Sequence, residues 1–152
     1  MRRTFDVVDG RYKVKPEIRQ RVSFEQADLL SPELDKQFPP ADIVFMQNVL
    51  FHMPPPMARQ AFSAVLKLLK PGSVLFIEGM ELDMRASLTQ AAGLAPLGYK
   101  VKEIYNYSRR HIPARWWRYY FGNEPYFEFA KNKLARYSTI FIAPLDGLKK
   151  LP

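Results

Sequence analysis

A chain of 152 residues with 47% apolar and 14% aromatic residues is long enough for one ordinary domain and too apolar to be disordered or of low complexity. Its 23 Lys and Arg against 15 Asp and Glu leave a net charge of +8, which points toward acidic partners. Cysteine is absent, His52 and His111 are far apart, and no apolar run approaches the ~20 residues a bilayer span needs, so disulfides, thiol chemistry, metal centres and a membrane span are not expected in what reads as a soluble, cytoplasmic chain.

In chain order, residues 11–15 (RYKVK) read as a short extended piece, followed by a short helix over Pro16–Val22 with its proline in the first turn. Ser23–Leu29 alternates and predicts a strand. Asp42–Leu50 (DIVFMQNVL) is nearly continuously apolar, the pattern of a parallel strand buried on both faces. Pro54-Pro55-Pro56 then opens a helix whose residues Ala58, Ala61, Phe62, Val65, Leu66 and Leu69 share one face. Lys67 and Lys70 are expected in its last turn, with Pro71-Gly72 as the stop.

Ser73–Gly79 (SVLFIEG) predicts a second buried strand, and Asp83 is placed to cap a helix running to about Gly93. Tyr99–Tyr105 reads as an edge strand, Pro125 as the start of a helix, and Arg136–Ala143 as a last strand. Strands alternating with helices give an α/β fold, parallel through its first crossover.

In such a sheet, ligands bind beyond the carboxyl ends of the strands. Asp28, Asn48, Gly79 and Glu81 stand at those ends. Ionised Asp28 is an acceptor only, which suits an exocyclic amino group such as that of adenine, or else it is a turn or cap acid. Asn48 offers a donor and an acceptor, or simply terminates its strand, and Glu81 reads as a solvated loop acid.

Three motifs in this order, KPEIRQRVSFEQADLL, DIVFMQNVLFHM and LKPGSVLFIEGME, resemble the C-terminal half of the CheR-type chemotaxis-receptor glutamate methyltransferases, which are class I enzymes dependent on S-adenosylmethionine. The resemblance covers roughly residues 11–81. It implies a partial Rossmann-like class I sheet, mostly parallel with an antiparallel last strand, in the family order 3-2-1-4-5-7-6. It also implies that Asp28 and Leu29 contact adenine, and that Asn48 and Val49 lie beside the methionyl and ribose part of the cofactor. Gln47, His52 and Met53 replace the arginine, tyrosine and phenylalanine of the family pattern. No catalytic residue is singled out.

No G-x-G-x-x-G occurs in the sequence, and Gly10 alone lies among the first 71 residues. The family turn that cradles the methionine end, and the acid that holds the ribose, precede the matching region. The chain is therefore expected to start just before the third strand of seven, to bind the cofactor poorly by itself, and to leave strand 42–50 with an open edge available for pairing. Residues 1–144 are read as one partial methyltransferase domain with an insertion at about 106–124, and 145–152 as a loosely held tail.

Arg109, Arg110, Arg115 and Arg118 fall in a stretch with no acidic residue, among Tyr105, Tyr107, Trp116, Trp117, Tyr119, Tyr120 and Phe121. The segment reads as a lid packed on the sheet with arginines snorkelling outward, as a surface for an acidic protein, or as one for nucleic acid. Two functions follow. One is methyl transfer to a glutamate carboxylate of an acidic protein such as a chemoreceptor. The alternative is a non-catalytic binding module that uses residues 105–121 for nucleic acid or an acidic protein.

Overall fold

The computed structural model describes residues 4–117 and 124–149. Asp9 and Gly10, at φ 51° and 71°, turn the chain tightly, so Phe5–Val8 (β1) and Arg11–Val14 (β2) pair as an antiparallel hairpin. The extended piece expected at 11–15 is thus the second arm of a hairpin, and Asp-Gly is its signal. Pro16 opens the short helix α1 (Pro16–Arg19).

Ser23–Leu29 is not a strand. Residues 22–28 have no regular structure and are exposed, Phe24 by 93%. Alternation alone makes no strand where no ladder receives it, and among the described residues none pairs with this segment. Side chains hold it instead: Gln37 Nε2 donates to the Gln26 carbonyl at 3.1 Å and Gln60 Nε2 to that of Leu30 at 2.8 Å. A short helix, α2 (Leu34–Gln37), follows and anchors through fully buried Leu34.

Ala41–Gln47 (β3) and Leu69–Glu78 (β4) are parallel strands joined by helix α3 (Pro55–Leu66). The inward face of α3 carries Ala58, Ala61, Phe62, Val65 and Leu66, as its periodicity predicts. The helix stops at Leu66, however, and Lys70 and Pro71-Gly72 belong to β4. Leu69 pairs with Ala41, and Lys70 Nζ holds the Asp42 carboxylate at 2.9 and 3.0 Å, so the strand claims these residues. The register then jumps, Ile43 facing Val74, where Pro71 and Gly72 interrupt the ladder.

Helix α4 (Leu82–Ala91) leads to the two-residue strand β5 (Ala95–Pro96) and helix α5 (Val101–His111). The strand expected at Tyr99–Tyr105 is therefore helix from Val101 onward. Val101 and Tyr105, one turn apart, both bury against Leu82 and Tyr137, while Lys102 and Glu103 stay exposed. Helical spacing explains that pattern better than alternation does. No helix starts at Pro125, and residues 124–127 are irregular. Among the described residues after 124 the helix is α6 (Lys133–Tyr137), followed by β6 (Ile140–Ile142).

The sheet order is β3-β4-β6-β5, with β6 antiparallel to both neighbours. The same pattern, with its antiparallel strand between two neighbours, ends the order 3-2-1-4-5-7-6 that the resemblance implies, and the α/β fold class holds. The core lies on one face, where Met46, Leu75, Ile77 and Phe141 meet Phe62, Leu50 and Met80. The other face carries Ile43 and Phe45, exposed by 55% and 67%, with Phe45 stacked on Phe76 at 4.5 Å. The reading of β3 as buried on both faces is corrected accordingly. β3 stands at the edge of this sheet.

The tail is tied down at least to residue 149. Leu148 packs on the core and the Lys149 amide donates to the Ala92 carbonyl at 3.2 Å. No helix among the described residues is long and apolar enough to cross a membrane.

Candidate functional site

Two parallel strands end side by side. Asn48 follows β3 at φ 58°, and its amide donates to the Glu78 carbonyl at 3.2 Å. Gly79 follows β4 at φ 69°. A Cβ on Gly79 would stand 2.8 Å from Phe51 Cδ1, 3.2 Å from Asn48 Cα and 3.3 Å from Asn48 Oδ1. Only glycine fits this close approach, and asparagine is one of the few other residues that tolerate left-handed backbone.

Beyond Asn48, half-buried Val49 leads into a 3-10 turn at Leu50–His52. That turn and the start of α4 enclose an apolar cavity of about 230 Å³ between Leu50, Phe51, Met53, Met80 and Met84, with Glu81 as its charged wall. Glu81 is no idle loop acid. Its two carboxylate oxygens accept from the amides of Asp83, at 3.0 Å, and Met84, at 2.8 Å. It therefore caps α4, the role expected of Asp83.

Asp28 sits exposed in the loop before α2, where Oδ1 accepts from the Leu30 amide at 2.9 Å. The turn commits one carboxylate oxygen. Leu29 packs partly buried against the core, and Lys67 Nζ fixes the loop to α3 through the Pro32 carbonyl at 3.1 Å.

The arginines form a second group on other elements. Arg109 and Arg110 lie in the last turn of α5, whose negative dipole end favours cations. The Arg109 guanidinium lies 4.5 Å from the Trp117 ring centroid, and that of Arg115 lies 5.9 Å from the Trp116 ring. Trp117 Nε1 donates to the Ile112 carbonyl at 2.9 Å, which fixes the indole. Arg118 is outside the described residues. The stretch read as an insertion from 106 begins inside α5 rather than at a boundary.

Sequence reading missed a polar network behind the strand ends. Arg136 on α6 grips Glu124 with two bonds, at 2.5 and 2.6 Å, and also binds Asp83 on α4. Tyr137 donates to the Glu124 carboxylate at 2.8 Å and Tyr105 to its carbonyl at 2.9 Å. The Arg136 bonds hold the Glu124 carboxyl below its usual range against the opposing effect of burial, and Glu124 in turn raises Arg136. Burial, then the neighbouring Tyr137 and Glu124, push the Tyr105 phenol up.

Arg85 is wholly buried on the inner face of α4, between Leu82 and Leu88. Burial lowers its guanidinium to about 10, against the attraction of Glu78. Nη2 donates to the Arg136 carbonyl at 2.6 Å, while Nε and Nη1 have no hydrogen-bond partner among the described residues. The signal available in the sequence was a cation one turn from Leu82 and Thr89 on the helix's apolar side.

Residues 1–91, which include both strand ends, match the family model described as CheR methyltransferase, SAM binding domain. The chain belongs to the CheR methyltransferase family. S-adenosylmethionine is the cofactor for which this domain is named. Relatives include the probable biofilm formation methyltransferase WspC of Pseudomonas putida, 33% identical over 96 residues, which are 63% of this chain and 22% of the relative. WspC of Pseudomonas aeruginosa is 29% identical over 68% of this chain and 24% of its own length. A chemotaxis protein methyltransferase of Vibrio parahaemolyticus is 36% identical over 53% of this chain and 29% of its own length. The chain thus spans between about a fifth and a third of the length of these CheR-type relatives.

Proposed function

We propose that the chain serves methyl transfer from S-adenosylmethionine to a glutamate carboxylate of an acidic protein, such as a chemotaxis receptor. The observation that carries this reading is the pair of left-handed residues Asn48 and Gly79 at adjacent strand ends, within the region that matches the SAM-binding domain. The group and the residues are compatible. Asn48 supplies a donor and an acceptor, Gly79 removes the Cβ that would crowd them, and the neighbouring cavity is apolar.

In this reading Asp28 accepts from the adenine amino group, with Leu29 against the ring, while Asn48 and Val49 lie along the ribose and methionyl portion. The bound cofactor supplies an electrophilic sulfonium methyl group. The chain's part is to hold the acceptor oxygen in line with that methyl and to exclude water. A glutamate is ionised at neutral pH, so no general base is needed. Glu81 is engaged in capping instead, each of its oxygens accepting from the first turn of α4.

NMR-detected titration with S-adenosylmethionine tests the assignment and registers weak binding. Resonances of residues 28–29, 48–49 and 79–81 should move together. Asp28→Ala should weaken binding by roughly 10- to 150-fold, the value of a hydrogen bond to a charged group, and Asp28→Asn by less. Shifts confined to other residues, or an Asp28→Ala protein that binds like the parent, would overturn it.

A further inference from the structure

The end of α5 and the turn after it form a basic recess that the cofactor assignment leaves unused. Asn106, Arg109, Arg110, Ile112 and Trp117 line it, and its volume is about 600 Å³. Charge is one-sided here: no Asp or Glu occurs between Glu103 and Glu124 in the sequence. We propose that this recess docks an acidic peptide segment of the methyl-accepting protein, with exposed Arg110 binding its carboxylates and the stacked Arg109 adding positive charge beside it. The proposal names the partner side of the function above and rests on that reading.

The choice of a peptide over nucleic acid comes from how the tryptophans are engaged. Single-stranded nucleic acid needs free aromatic faces on which bases stack. Here the Arg109 guanidinium covers a face of Trp117 and Arg115 leans over Trp116. The Trp117 indole is also pinned by its bond to the Ile112 carbonyl. The rings therefore serve to hold guanidinium groups rather than bases. Arg110, next to the stacked Arg109 and exposed, presents a guanidinium whose planar N–H fork matches a carboxylate bidentately.

Fluorescence anisotropy with a labelled, short glutamate-rich peptide tests the inference on the 152-residue chain, alongside a labelled single-stranded oligonucleotide of equal charge. The peptide should bind, more weakly as salt rises. Exposed Arg110→Ala should reduce affinity by about two- to fivefold, and the Arg109→Glu/Arg110→Glu pair by roughly tenfold or more. Arg110→Lys should restore only part of the loss caused by Arg110→Ala, because an ammonium lacks the fork.

Titration with S-adenosylmethionine should be the same in these variants as in the parent, which separates failure of this inference from failure of the cofactor assignment. No binding of the peptide, equal binding by Arg110→Ala and the charge-reversed pair, or an oligonucleotide that binds more tightly and displaces the peptide would each overturn the proposal. Thermal denaturation of Arg110→Ala should match the parent, since Arg110 is exposed.

Discussion

Asn48 and Gly79 fit each other: the Asn48 Cα lies 3.2 Å from the point a Cβ on Gly79 would occupy, and both residues hold left-handed backbone. Neighbouring parallel strands can turn away side by side at this spot only if one of the two has no side chain.

Gly79→Ala should therefore destabilise the protein by about 1–3 kcal/mol, from strained backbone and contact with Phe51. Thermal denaturation measures this. Asn48→Gly keeps the left-handed backbone without strain, yet removes the donor and acceptor proposed for the cofactor. If Asn48→Gly bound S-adenosylmethionine as well as the parent, Asn48 would have no binding role.

Arg136→Met leaves the Glu124 carboxylate, only 19% exposed, without its two-pronged partner and frees Asp83. A loss of about 1–3 kcal/mol is expected, the usual value of hydrogen bonds to a charged group, since only the Tyr137 hydroxyl still donates to the carboxylate. Urea denaturation of the variant beside the parent gives the value.

Glu124 also makes stability depend on pH. Its carboxyl is held below the ordinary 4.5, so its contribution is fully present above that value and is lost as pH falls through the lowered one. Glu124→Gln should be less stable than the parent at neutral pH and should lose less on acidification. Denaturation midpoints measured from pH 7 down to acid would reveal it. Parallel curves for the two proteins would assign the acid sensitivity to other groups.

Arg85→Met should be as stable as the parent or more so. The guanidinium is buried with two nitrogens, Nε and Nη1, unpartnered among the described residues, and a methionine of similar reach fills the same space without that cost. Arg85→Ala should be clearly less stable, because it leaves a cavity. If Met and Ala were equally harmful, the single bond to the Arg136 carbonyl would be the dominant contribution of Arg85.

The exposed edge of β3, with Ile43 and Phe45 outward, is expected to associate with a second copy as salt screens the net charge of +8. Sedimentation velocity at rising salt should show larger species, and Phe45→Lys should suppress them. A monomer at every salt concentration would mean that the edge does not pair.

Local pattern determined what depends on near neighbours along the chain. The apolar runs at 42–50 and 73–79, the stripe on α3 and the order of motifs at residues 11–81 lead to a parallel α/β pair, to the cofactor class and to strand-end candidates Asn48 and Gly79, because period and turn chemistry act over a few residues. Contacts between distant segments decided the rest. Ser23–Leu29 alternates like a strand but finds no ladder, and Tyr99–Tyr105 alternates yet coils because Val101 and Tyr105 share a buried face with Leu82 and Tyr137. Glu81 rather than Asp83 caps α4, and Asp83, inside the first turn, binds Arg136, 53 positions away. Such pairings carry no local signal. Burial and partner geometry select among patterns that are equally good in the sequence, and both exist only after the chain has folded.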